Sequence, residues 1–412
     1  MAAIIALGAV ATFAQDPCTD ADGQTKMSDS FRELYPKTSI DDKKATIAAG
    51  KAFLEKYGAC ESAKEFSDYL KTAVPTLEKA LAARIERERF GAILTKFNDG
   101  LKNKAWDDVY AAGKQILAEK PDEFNAVELV LGSIGYDELL DKQNSKYNDE
   151  TMKYAKQSLA DLEAGKTFKP GFGVAPFKYD SKEHAIAWMN LTIGTIYQVG
   201  QKNKAAALPY LYKATQGPAG TDIAKIPNPY EFVGLYYFDE LNKITDEIKA
   251  LAADQKDTDT PDVAKQKIDN IKNKVAMSNG TAERAMDAFS RAYTLGTAPA
   301  YKAKMKKNIE GAFNVRFGKT DGIDAWIAEA MKKPFVNPTT AITPIRDPEP
   351  TTTPADATAA PANTTPAKPG TTTAKPPATT TTKPAGPIKP AATPAPKVQA
   401  SVKKPVAKKK GV

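Results

Sequence analysis

The chain of 412 residues carries 58 Lys+Arg against 50 Asp+Glu, a formal charge of +8, with 29 Pro, 2 Cys and 1 His. The excess charge sits in one place. Residues 337–412 hold 16 of the prolines, 17 threonines, 11 basic and 3 acidic residues and no aromatic ring, which leaves residues 1–336 balanced at 47 basic and 47 acidic side chains. A neutral body lacks the electrostatic footprint of a nucleic-acid-binding domain. One His and two Cys cannot build a Cys/His zinc fold, and the composition is not that of a polytopic membrane protein.

Residues 2–14, AAIIALGAVATFA, form an apolar run of signal-peptide length, and Thr12 and Ala14 are small residues at −3 and −1 to a cut before Gln15. The spacing predicts a leader over 1–14. No Lys or Arg precedes the run, so a start assigned too late, or a buried N-terminal helix, are the other readings. Removal of the leader leaves no transmembrane span, and the chain is expected to be exported: periplasmic, cell-envelope associated or secreted. Residues 15–38 read as an N-terminal extension. Cys18 and Cys60 are the only thiols, and in an exported chain they most economically form one disulfide. Two free thiols, or a lipidated Cys18, are the alternatives; Asp16-Pro17 speaks against lipidation.

From residue 39 onward the pattern is helix after helix. Ser39 is a natural N-cap, Asp41 and Asp42 suit a helix start, and Gly58 suits its end. Further helices are predicted over Lys104–Glu119, Asp149–Glu163, Asn203–Thr215, Thr281–Leu295 and Asp321–Lys332. An apolar or small residue recurs at i, i+4 and i+7: Val109/Gly113/Ile116, Ala207/Leu211/Ala214, Ala285/Phe289/Ala292 and Ile323/Ile327/Ala330. The string Ala48-Ala49-Gly50-Lys51 returns as Ala111-Ala112-Gly113-Lys114. The linker Gly217–Pro229 and the charged stretch Asp254–Pro261 interrupt the series. No alternating strand pattern of useful length appears.

These seams resemble those of the tetratricopeptide repeat (TPR), a helix-turn-helix unit in which small residues let paired helices approach. Pro121 closes one such stretch, and Ala187–Ala214 looks like a whole unit, with Trp188, Ile193-Gly194, Tyr197, Ala207 and Ala214 near their family roles. The resemblance implies an all-α domain over 39–336, a TPR-like solenoid or an irregular α-bundle, followed by a disordered tail over 337–412.

The chain offers little for catalysis. His184 stands alone, and Ser181 as N-cap would place it in a first helical turn near solvent. A His-based metal site or a Ser-His-Asp triad is not expected, and no cofactor is called for. Gly171-Phe172-Gly173 lacks the third glycine and the preceding strand of a dinucleotide loop. Asn190, Asn279 and Asn363 satisfy the N-x-[ST] pattern. The segment Pro229–Phe238 concentrates five aromatics. Tyr230, Phe232, Tyr236 and Tyr237, with Trp188, are the candidate partner-binding residues, against the plainer reading of a buried helix.

The expected function is therefore non-enzymatic: an exported helical-repeat scaffold that binds a protein or peptide in the cell envelope. The alternative is a glycan or small-ligand binding protein on the same scaffold, with these aromatics stacking on sugars. The tail is too poor in bulky apolar residues to offset the entropy of ordering. Its terminal Lys403, Lys404, Lys408, Lys409 and Lys410 make a cationic tip suited to an anionic envelope polymer. Nucleic acid is not an expected partner.

Overall fold

The computed structural model describes residues 16–348. The expected leader and all of the expected tail from residue 349 on, Lys403–Lys410 included, lie outside them. The described chain is all-α apart from one hairpin of two-residue strands, and it divides into two compact units at Glu119/Lys120.

In the first unit a 3-10 turn (Pro17–Thr19) leads into α1 (Ala21–Leu34), followed by α2 (Ile40–Tyr57), α3 (Lys64–Asn103) and α4 (Trp106–Glu119). Residues 15–38, expected as an extension, instead supply α1, whose Phe31 is buried with Phe53, Tyr57, Leu70 and Val74. Ser39 caps α2 as expected, its hydroxyl accepting from the amide of Asp42 at 3.0 Å. Along α4 the predicted seam Val109/Gly113/Ile116 is buried. Cys18 and Cys60 form a disulfide that ties the start of the chain to the end of α2.

Asp20 is the second fastening. Its carboxylate caps α1 by accepting from the amide of Gly23 (2.9 Å), and it also accepts from Tyr57 Oη (2.7 Å) and Lys56 Nζ (3.1 Å). Those bonds, the one from Tyr57 foremost, hold its carboxyl at a pKa of about 2.

The second unit begins with α5 (Pro121–Phe124), α6 (Ala126–Leu131), α7 (Ile134–Lys142) and α8 (Asn148–Glu163). The hairpin of β1 (Gly173–Val174) and β2 (Phe177–Lys178) follows, in antiparallel register. Then come α9 (Lys182–Thr195), α10 (Lys204–Thr215), α11 (Asn228–Ala253), α12 (Pro261–Leu295), α13 (Pro299–Phe317) and α14 (Ile323–Ala330). Helices α9 and α10 form the helix-turn-helix predicted there, with Asn203 capping α10. Gly194 makes the close approach possible, since a Cβ on it would lie 2.8 Å from Leu211 Cδ2. The seams Ala207/Leu211/Ala214, Ala285/Phe289/Ala292 and Ile323/Ile327 are buried in one core, and Ala330 is buried as well. Helices α11 and α12 are antiparallel across the charged turn 254–260, as shown by the pairs Phe238–Phe289 and Glu247–Lys274. Among the described residues no helix is long and apolar enough to cross a membrane.

Reduction of the disulfide should lower the stability of the first unit by about 4 kcal/mol, the chain-entropy value for a loop of this length, measured by denaturant titration with and without reductant. Asp20, with its depressed folded pKa, contributes stability that is present above the ordinary carboxylate range and lost as pH falls from about 4 toward about 2. Asp20→Asn should flatten the acid limb of the first unit's stability profile; an unchanged limb would show that Asp20 is no fastening.

Candidate functional site

The expected site residues lie mostly inward. On α11, Phe232 and Tyr237 are buried, while Tyr230 and Tyr236 are half-buried against the same core. Burial pushes the Tyr237 hydroxyl up to about 12 and raises that of Tyr230. Trp188 also packs against that core, edge-on to Tyr136 at 5.5 Å and beside Tyr179 at 6.4 Å. The five rings thus do not make one open aromatic surface. The reason lies in periodicity: a helix apolar nearly all round is consumed by neighbours on every side.

What two of these rings do is hold the end of the described chain. Residues 334–348, here the strap, leave α14 and run antiparallel to α12. Tyr230 packs edge-on against Phe335 at 5.0 Å, and Tyr237 Oη donates to the carbonyl of Pro338 at 3.0 Å. Residues 337–348, expected to belong to the tail, are therefore laid on the body. Their backbone finds donors there that an isolated Pro/Thr-rich segment lacks.

The α12 side chains build the seat. Arg291 Nη2 donates to the carbonyls of Ala330 (3.1 Å) and Lys333 (2.6 Å), and Arg284 Nη1 to that of Asn337 (3.1 Å). Asn279 Nδ2 donates to the carbonyl of Ile345 (3.0 Å), whose own amide donates to the carbonyl of Ala276 (2.8 Å). Gly280 lets the strap pass: a Cβ there would lie 2.2 Å from the carbonyl oxygen of Thr343. At the far end Arg316 donates from Nη1 to both carboxylate oxygens of Asp347 (2.8 and 3.1 Å), and its Nε is aligned by Glu283 at 2.9 Å. Burial opposes the Arg316 charge, but those two carboxylates hold its pKa above the ordinary value.

The strap does not fill its seat. A cavity of about 220 Å³ remains between α12, α14 and the strap, walled by Gly280, Asp287, Trp326, Ala330, Val336 and Ile345. Trp326 lines it, and Trp326 Nε1 is buried without a hydrogen-bond partner. The Asp287 carboxyl in the same wall is pushed up by burial, against the pull of Arg291, whose Nε donates to it at 3.0 Å. Arrangements of this kind recognise main chain, through side-chain donors aimed at carbonyls and a glycine that admits a backbone.

His184 is buried, contrary to the expectation of a solvent position. The linker 217–229 folds back so that Asp222 Oδ1 meets His184 Nε2 at 2.6 Å and Trp188 Nε1 at 3.1 Å. The amide of Asp180 donates to Nδ1 at 3.1 Å, and Trp188 Nε1 also lies 3.0 Å from Nε2. Both ring nitrogens are occupied in joining three segments, and Ser181 caps α9 as expected. Asn190 and Asn279 are buried, so the folded chain does not offer these two acceptors for glycosylation; Asn363 lies outside the described residues. Among the described residues no group of three or more His, Cys, Asp or Glu is arranged to hold a metal.

No family model matches the chain, and neither a curated protein nor a solved structure is detectably similar to it.

Sequence reading missed Asn279, Gly280, Arg284, Arg291 and Arg316. One signal was there: a glycine inside a helical pattern often marks a close backbone approach, and Ile342 and Ile345 are isolated bulky residues in a Pro/Thr stretch. Arg316→Ala removes the charge-assisted clamp on Asp347, a contact worth about 1.5–3 kcal/mol. The amide of Ile345 should then exchange with solvent at least about tenfold faster, while the amides of α12 and α13 keep their protection.

Proposed function

We propose that this protein is a non-enzymatic helical scaffold that binds an extended peptide segment of a partner protein along α12. The observation that carries the reading is the strap: α12 and its neighbours already grip an extended segment through carbonyl-directed donors and a glycine gap. Main-chain contacts of that kind supply affinity for many sequences, and flanking pockets supply selectivity. The helix-turn-helix of α9 and α10 supports the TPR resemblance, whose members hold partner segments on paired helices. The Cys18–Cys60 disulfide and the apolar start of the sequence support export, to the periplasm, the envelope or the medium. Glycan stacking through Trp188 and the α11 aromatics has less support, because those rings are turned mainly to the core or bonded to the chain itself.

A display library of random ten-residue peptides, panned against the full chain with its strap loosened by Ile345→Ser and Asp347→Lys, tests this reading. Enriched peptides should lose at least about tenfold in affinity when Gly280→Ala is added, because the methyl group blocks backbone approach. An empty panning together with saturable polysaccharide binding on a glycan array would transfer the function to sugars.

A further inference from the structure

We propose that the α12 groove selects a partner segment of the pattern apolar-x-x-apolar-x-carboxylate, and that residues 342–347 of the strap are its built-in competitor. This rests on the peptide-binding reading above and adds to it the class of sequence that is read. The pattern is that of Ile342, Ile345 and Asp347, which the strap lays on the body in an extended run.

The body's side of each contact is prepared, and the strap's side is loose. Arg316 is oriented by Glu283, which holds its Nε at 2.9 Å without any contribution from the strap, so the guanidinium is aligned to receive a carboxylate independently of Asp347. Asp347 itself is 59% exposed. Ile342 and Ile345 are half-buried, and no strap residue after Pro338 is buried. A segment with so few buried apolar contacts opens at low cost. The space of about 220 Å³ beside it is partly open to solvent and is not taken up by the strap's own side chains, which leaves room for a side chain of an incoming segment.

The strap follows α14 directly, so it is offered to the groove at an effective concentration on the order of millimolar. A partner in trans must exceed that local competition. The groove is thereby reserved for segments that match its carboxylate site and apolar seats better than the strap does.

The test is fluorescence anisotropy with a labelled synthetic peptide of residues 337–348, NPTTAITPIRDP, against the full chain. The wild-type chain should bind it at least about tenfold more weakly than the chain carrying Ile345→Ser and Asp347→Lys in its own strap. These are partly exposed positions, and unchanged far-UV ellipticity confirms that the variant is folded. A second peptide, with Ile342 and Ile345 replaced by Ser and Asp347 by Lys, should bind the opened chain at least about tenfold more weakly than the first. Equal binding of both peptides would overturn the sequence pattern while leaving the peptide groove standing. No binding of either would overturn the pattern and the peptide reading together. Equal affinity of wild-type and opened chains would overturn the strap's role as competitor. A wild-type chain that sediments as a dimer, and becomes a monomer when the strap is altered, would assign the groove to the strap of a second copy instead.

Discussion

The second half of the second unit depends on the apolar seam of α12. Ala264, Ile268, Ile271, Val275, Ser278, Ala282, Ala285, Phe289 and Ala292 recur at alternating steps of four and three along its 35 residues. From Ser278 onward these positions are small, Phe289 apart, and buried, so neighbouring helices reach the α12 backbone closely, while the strap approaches on another face, at Gly280. Below Ser278 the seam is larger and less covered: Ile268 is 44% and Val275 39% exposed. One helix therefore serves two purposes, with the change falling where the side chains grow.

Small residues bring backbones together but do not by themselves fix register, and the buried charges supply that. Glu231 on α11 meets Lys304 on α13 at 2.7 Å with 5% and 12% of their side chains exposed. Arg291 and Arg316 are buried to a similar degree and donate to main chain or carboxylate. Burying such groups costs several kcal/mol per ion unless geometry and hydrogen bonds recover it. Their partners cannot be exchanged by sliding one helix a turn along the next. We attribute the placement of the strap to this: its donors are held where the register puts them, not where the strap asks for them.

The same physics explains why the aromatic segment of α11 is no open binding surface and yet bears on the site. Its rings fill the space among α10, α12 and α13, and two of them reach the strap from below. A groove held in this way is rigid in its floor and soft in its cover, which suits recognition of an extended segment at modest entropic cost. In the first unit, by contrast, the disulfide and Asp20 add covalent and charged links to the apolar packing of α1.

Much of the fold was legible from local pattern. The caps at Ser39, Ser181 and Asn203, the helical segments, and the seams at Val109, Ala207, Ala285 and Ile323 follow from 3.6-residue periodicity and from short-range hydrogen bonding. Both depend on residues within a few positions of one another. Other features needed distant partners. Residues 20–34 carry a local helix pattern, with a cap at Asp20 and an apolar stripe at Met27, Phe31 and Leu34, but nothing local shows that this helix packs on the body, which Phe53, Tyr57 and Cys60 decide. His184 was placed near solvent because nothing in its neighbourhood foretells Asp222, 38 residues on. The strap looked like tail, since its composition cannot support structure alone; donors on α12 and α11 give its carbonyls partners, and Arg316 on α13 holds the Asp347 carboxylate. Sequence alone thus determined that the chain is helical and which side of the capped, periodic helices is apolar, because those are properties of nearby residues. The tertiary structure alone decided the division at Glu119, the end of the body, and the groove on α12, because each arises where residues far apart in the chain satisfy one another's charges and hydrogen bonds.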